Sequence, residues 1–124
     1  MFRDGELITL KTINPWEIVE EISECFPGRV IFEDSRLQSH TWTTAGTRAV
    51  AANMARKVGQ VDACCALIVG ICGRLGIPAH GISPLRKGKK LNAEQFEAVT
   101  GWKGASNEHT RDAAMCAWPY RSAA

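Results

Sequence analysis

Residues 29–34 read Arg-Val-Ile-Phe-Glu-Asp, three large apolar side chains followed at once by two carboxylates. Side chains along a strand alternate between its two faces. An unbroken apolar run of this kind is sheltered only when both faces are covered, as in a sheet with helices packed above and below. Parallel strands need crossover connections, so such a strand also demands helices between it and its neighbours. The rest of the chain alternates strand-like and helix-like patterns, and the expected fold class is α/β with a largely parallel sheet. At 124 residues the chain is long enough for one domain, spanning 1–124, with a sizeable core.

The punctuation supports this order. Asp4-Gly5 is a hairpin-turn signal. Residues 6–13 are rich in β-formers and read as a strand. Asn14-Pro15 starts a helix with Trp16, Ile18, Val19, Ile22 and Phe26 at helical spacing, stopped by Pro27-Gly28. After strand 29–34 comes a polar, irregular segment, 35–46. Residues 47–58 and 61–75 read as two helices separated by Gly59-Gln60, the second mostly buried and stopped by Gly76-Ile77-Pro78. A short strand at 79–83 leads to a basic loop at 84–90. Asn92 caps a helix to about Val99, and Ser106 or Asn107 caps a last helix that Pro119 stops.

Composition narrows the class. Hydrophobic residues make up 45% and charged residues 23%, which is globular usage. The longest apolar run, Ala63 to Cys72, falls short of the roughly 20 residues a bilayer span needs, and Met1-Phe2-Arg3-Asp4-Gly5 is not a signal-peptide start. The expectation is therefore a cytoplasmic protein without a membrane partner. The five cysteines are odd in number and form no CxxC pair, which suits reduced thiols, mainly as small core residues. The net charge of +2 hides an asymmetry: residues 1–28 carry two basic and six acidic groups, and residues 29–103 carry eleven basic and five acidic groups. A basic central block suits a polyanionic partner.

Two places could carry chemistry. Glu33-Asp34 stands at the carboxyl end of the apolar strand, where open α/β sheets bind ligands. Glu108-His109-Thr110-Arg111-Asp112 opens a helix, with His109 and Asp112 three apart on one face and Glu108 four residues before Asp112. Carboxylates from a strand end meeting such a helix would make an oxygen-rich cage suited to Mg²⁺ or Mn²⁺. Acids at a helix start also favour the macrodipole with no metal present. There is no P-loop, GxSxG or HExxH motif. His40 reads as a solvated loop residue, His80 as strand-end structure, and Trp42 and Trp102 as scattered aromatics rather than a partner surface.

The stretch Gly101-Trp102-Lys103-Gly104-Ala105-Ser106-Asn107-Glu108-His109-Thr110-Arg111-Asp112-Ala113-Ala114 resembles the C-terminal motif of RuvC-like Holliday junction resolvases, in particular their phage and prophage branch, with its GW-x-G-x-x-(S/N)-EH-x-RDAA signature. Residues 30–37 resemble that family's second acidic motif. The segment from Val58 to Pro78 and the basic loop before Leu91-Asn92-Ala93-Glu94-Gln95-Phe96 resemble it as well, so the likeness covers about residues 6–118. It implies a ribonuclease H-like mixed sheet flanked by helices. It also implies a Mg²⁺- or Mn²⁺-dependent endonuclease of branched DNA, usually a homodimer. By the same likeness Glu33, or Asp34 in the other register, matches the strand-end metal carboxylate and Asp112 the C-terminal one. His109 matches a catalytic position near the metal. Lys87, Lys89 and Lys90 would follow the DNA backbone, with Arg36 and Arg48 as weaker candidates.

The chain departs from the family at its start. It has no counterpart of the first strand and its Asp, the central metal ligand, and Asp4 reads as a turn residue. An N-terminally truncated fold is therefore expected. Either residues 6–13 and 29–33 pair directly in parallel, or a second chain fills the gap by strand exchange. Two functions stay open: a nuclease, or a degenerate relative that binds DNA or oligomerises without cutting.

Overall fold

The computed structural model describes residues 1–37, 47–86 and 88–122. Its elements run β1 (Phe2–Arg3), β2 (Glu6–Leu7), α1 (Ile18–Cys25), β3 (Val30–Glu33), α2 (Arg48–Leu75), β4 (Ala79–Ile82), α3 (Ala93–Thr100) and α4 (Glu108–Ala117). Short 3-10 turns precede α1 and follow β3, β4 and α4. The chain is mixed α/β. It divides into two compact units, one of residues 15–86 and one combining residues 1–14 with 87–124.

In the 15–86 unit, β3 and β4 form a parallel pair in the register Val30 to Ala79 through Glu33 to Ile82, with α2 as their crossover. The parallel pairing matches the expectation from the apolar run. Among the described residues β4 is the one strand neighbour of β3. The core of this unit is Ile22 from α1, Cys72 from α2 and Ile77 from the turn before β4. Ile18, Val30, Ile68, Ile71, Leu75 and Ala79 pack around it. Of the apolar positions expected to define α1, Ile18 and Ile22 do the packing, whereas Trp16, Val19 and Phe26 are exposed. Trp16 lies in a 3-10 turn, Pro15–Glu17, so it leaves the phase of the helix that follows.

The two helices expected at 47–58 and 61–75 are one continuous helix of 28 residues. Gly59 costs about 1 kcal/mol against Ala in a helix but removes no backbone hydrogen bond, so the helix runs through it. Thr47 caps its start by accepting the Val50 N–H at 3.4 Å. Gly76, with φ of 70°, ends it in the left-handed conformation. Joined in this way, α2 passes by length and composition the test for a membrane span that the run Ala63–Cys72 alone fails. One 18-residue window has a mean hydropathy of 1.5, and only 17% of it is buried.

In the other unit, Asp4 and Gly5 take positive φ of 53° and 82°, as a tight hairpin turn requires, and join β1 to β2 in antiparallel pairing. The strand expected over 6–13 is therefore only Glu6–Leu7, and β2 pairs with β1 instead of with residues 29–33. The ring of Phe2 meets that of Trp118 at 5.9 Å between centroids, and the Arg121 guanidinium lies 3.7 Å from the Trp118 ring centre. Phe96 of α3 is fully buried, and Thr110 and Ala114 mark the inward face of α4.

Candidate functional site

The strand-end acids belong to the 15–86 unit. Phe32 and Asp34 are buried and Glu33 is half-buried. Asp34 continues the β3 ladder, donating its N–H to the Ile82 carbonyl at 2.9 Å. Its carboxylate is held on both oxygens by one side chain: Arg36 Nε donates to Oδ1 and a terminal guanidinium nitrogen to Oδ2, each at 2.9 Å. The Arg36 backbone N–H adds a third bond to Oδ1 at 3.0 Å. These bonds from Arg36 hold the Asp34 pKa below the usual carboxylate value, against the opposing effect of burial. Gly81, opposite on β4, makes the room: a Cβ there would lie 2.8 Å from the Asp34 Cβ.

Neighbouring bonds fasten the end of β3 to the middle of α2. Ser35 Oγ donates to Asp62 Oδ1 at 2.6 Å, and Cys65 Sγ donates to the Glu33 carbonyl at 3.5 Å. Arg36, expected as a weak phosphate contact, is thus the partner of Asp34. Arg48 is the exposed first residue of α2.

The helix acids belong to the unit formed by residues 1–14 and 87–124. Here the motif from Gly101 to Ala114 folds as a sequence of caps. Gly101, with φ of 77°, ends α3 and donates to the Glu97 carbonyl at 2.8 Å. The Trp102 indole N–H donates to the Ala105 carbonyl at 3.1 Å. Its ring lies over Gly104, where a Cβ would come within 2.9 Å. Asn107, one of the two expected caps, forms a capping box with Thr110, with bonds of 2.9 Å each way. Arg111 turns back to donate to the Leu91 carbonyl at 2.9 Å and the Ser106 hydroxyl at 3.0 Å. Gly101, Trp102, Gly104, Asn107 and Arg111 therefore have structural work that needs no ligand.

Two further motif residues, Glu108 and Asp112, meet a lysine. Lys90 donates to Glu108 Oε1 and stands 3.9 Å from Asp112 Oδ2. The Lys90 ammonium holds the Glu108 carboxyl below its ordinary pKa. His109 is exposed, Asp112 is half-buried, and Lys89 is exposed. Lys87 lies outside the described residues, as do His40 and Trp42.

Glu33 is thus placed in one unit and His109, Asp112, Lys89 and Lys90 in the other. Asp34 in the first unit, and Glu108 and Asp112 in the second, meet protein cations. Among the described residues no three His, Cys, Asp or Glu side chains converge on one point. Both oxygens of Asp34 are engaged by Arg36, and Glu108 and Asp112 share Lys90. Sequence reasoning missed two links. The Asp34–Arg36 bond had a local signal, an acid and an arginine two residues apart after a strand. The Lys90–Glu108 pair had none, because eighteen residues separate its partners. Comparison of the sequence with protein-family models and with curated proteins finds no match.

Proposed function

We propose that the chain is a RuvC-like protein of ribonuclease H-like ancestry that binds branched or double-stranded DNA without depending on a metal ion. The observation that carries this reading is the occupation of the helix carboxylates, Glu108 and Asp112, by the Lys90 ammonium. A cation supplied by the protein answers the charge that a divalent ion answers in a metal nuclease. Lys89, exposed in its unit, and Arg48, exposed in the other, each supply phosphate contacts that need only charge and reach. Residence in the cytoplasm fits the five cysteines, all of which are thiols.

A second reading, the metal-dependent junction endonuclease, draws on one feature. Asp112 is at the outer limit of ion pairing with Lys90, at 3.9 Å, on a helix that also presents His109. A divalent ion could compete for that carboxylate, with Glu33 as the strand-end partner that the resemblance implies.

One experiment separates the two. Four-way junction binding is followed by fluorescence anisotropy at about 50 and 200 mM salt, with Mn²⁺ present or chelated. The binding reading expects affinity that falls steeply with salt, ignores chelation, survives Glu33→Ala and is lost when Lys87, Lys89 and Lys90 are neutralised. Salt-independent binding, or none, defeats it. Mn²⁺-dependent strand cleavage that disappears in Asp112→Asn would establish the nuclease.

A further inference from the structure

The helix α1 gives its core only two residues. Ile18 and Ile22 join Ile68, Ile71, Cys72 and Leu75 near the end of α2. That place is about 35 Å along α2 from Thr47, where the chain enters the helix. Away from the core, α1 shows large apolar residues to solvent. Trp16, in the turn before the helix, is 77% exposed, and Phe26, its C-cap, is 58% exposed. Val19, at 38%, stands between them. Ser23, one turn beyond Val19, donates its hydroxyl to the Val19 carbonyl at 2.6 Å, so that proton is turned back onto the helix. From Trp16 to Phe26 the strip is about 15 Å long at helical rise.

Beside the strip the charge has one sign. Residues 12–28 contain Glu17, Glu20, Glu21 and Glu24 and no basic residue. Helix stability does not ask for this pattern. Glu17 with Glu21 and Glu20 with Glu24 are like charges four residues apart, which repel. Glu24 stands in the last turn, where the helix dipole favours a cation and the chain supplies none. Phe26 adds a backbone cost, because its φ of 42° is left-handed, a region that residues other than glycine avoid. An aromatic strip and an acidic flank, both unfavourable in the free chain, point to a partner.

We infer that this side of α1 docks a basic amphipathic helix of another protein. Two aromatic anchors about three helical turns apart, with Val19 between them, suit the apolar face of such a helix. The acids decide the class of partner. They repel nucleic-acid phosphates and anionic lipid headgroups, and they attract lysine and arginine beside the apolar face. The surface uses neither Lys89, Lys90 nor the α4 acids, so it goes beyond the DNA-binding reading and fails or stands separately from it.

The test uses the full chain, immobilised and offered a library of random displayed peptides. The selected peptides should carry lysine or arginine together with apolar residues at helical spacing. Made synthetically and labelled, they should bind in fluorescence anisotropy with an affinity that falls as salt rises. Trp16→Ala should weaken that binding about tenfold, and Phe26→Ala should weaken it several-fold. Both positions are exposed, so the urea midpoint should not fall. Glu20→Gln and Glu24→Gln should weaken binding several-fold while raising the midpoint slightly, because each relieves a like-charge pair. A library that yields no enriched peptide overturns the inference. So do selected peptides without basic residues, or binding indifferent to both Trp16→Ala and Phe26→Ala. Flotation of the chain with phosphatidylcholine vesicles, abolished by Trp16→Ala, would assign the strip to a lipid surface instead.

Discussion

Asp34 and Glu108 are both carboxylates whose charge is met by a basic side chain, yet the two pairs differ in kind. Asp34 is buried, and Arg36 binds it through a planar fork that matches both oxygens. Glu108 is exposed and meets a flexible lysine, also exposed, that Asp112 shares. The first pair is shielded from water and belongs to the architecture of the strand end. The second is bathed in solvent and salt, where an ion pair adds little to stability. One pair is therefore structural, and the other is placed where a ligand could exchange with it.

The comparison breaks most sharply at Gly81. Gly81→Ala pushes a methyl against the Asp34 Cβ, where two backbones already lie close. Its expected cost is about 2 kcal/mol, read from the midpoint of urea unfolding. Gly104→Ala meets only the Trp102 ring, which lies in a loop and can tilt, so its midpoint should move less. Equal effects at the two glycines would deny that the strand end is the more tightly built region.

Next in size is the pH dependence of the Asp34 pair. Arg36 depresses the Asp34 pKa, so the pair stabilises the fold above the unfolded-state pKa of about 3.9. That contribution is lost as pH falls through the lower folded-state value. Arg36→Ala should thus lower stability by a constant amount between neutral pH and about pH 5 and by progressively less in more acid solution. A gap that stays the same down to acid pH would mean that Arg36 contributes by packing alone.

Asn107→Ala removes the cap of α4 and should cost about 1 kcal/mol, with the loss seen in the amide exchange of residues 108–111. The smallest effect on stability belongs to Lys90. Lys90→Ala should leave the unfolding midpoint unchanged while the Glu108 pKa, followed by NMR, returns upward to the ordinary carboxylate value. About 0.5 M salt should reproduce most of that rise in the unmodified chain, because exposed pairs are screened. A Glu108 pKa indifferent to salt would make its pair as protected as that of Asp34.

Much of this was legible in the residues themselves. The Asp4-Gly5 turn, the caps at Asn92 and Asn107 and the stop at Gly76 all follow from local chemistry, whereas the parallel partner of β3 is β4 and not the expected residues 6–13. The break at Gly59-Gln60 was misread because a helix tolerates one glycine when both flanks favour it. The strand over 6–13 was overextended because β-forming residues without a ladder partner do not make a strand. Within the candidate site, the order of acids along the chain was plain. Which acid met which base was not, since Asp34 and Glu33 carry the same chemistry and only the pleat decides which turns inward.

Local sequence determined where helices start and stop, because capping and turn conformations depend on residues within four positions of one another. Tertiary structure alone decided which residues of α2 are core: Cys65 and Cys72 are buried, whereas Met54 and Val61 are exposed. α1 has only eight residues, and an element that short covers about two turns of its neighbour. It decided likewise that Lys90 meets Glu108, eighteen residues further along the chain, and Asp112 beyond it.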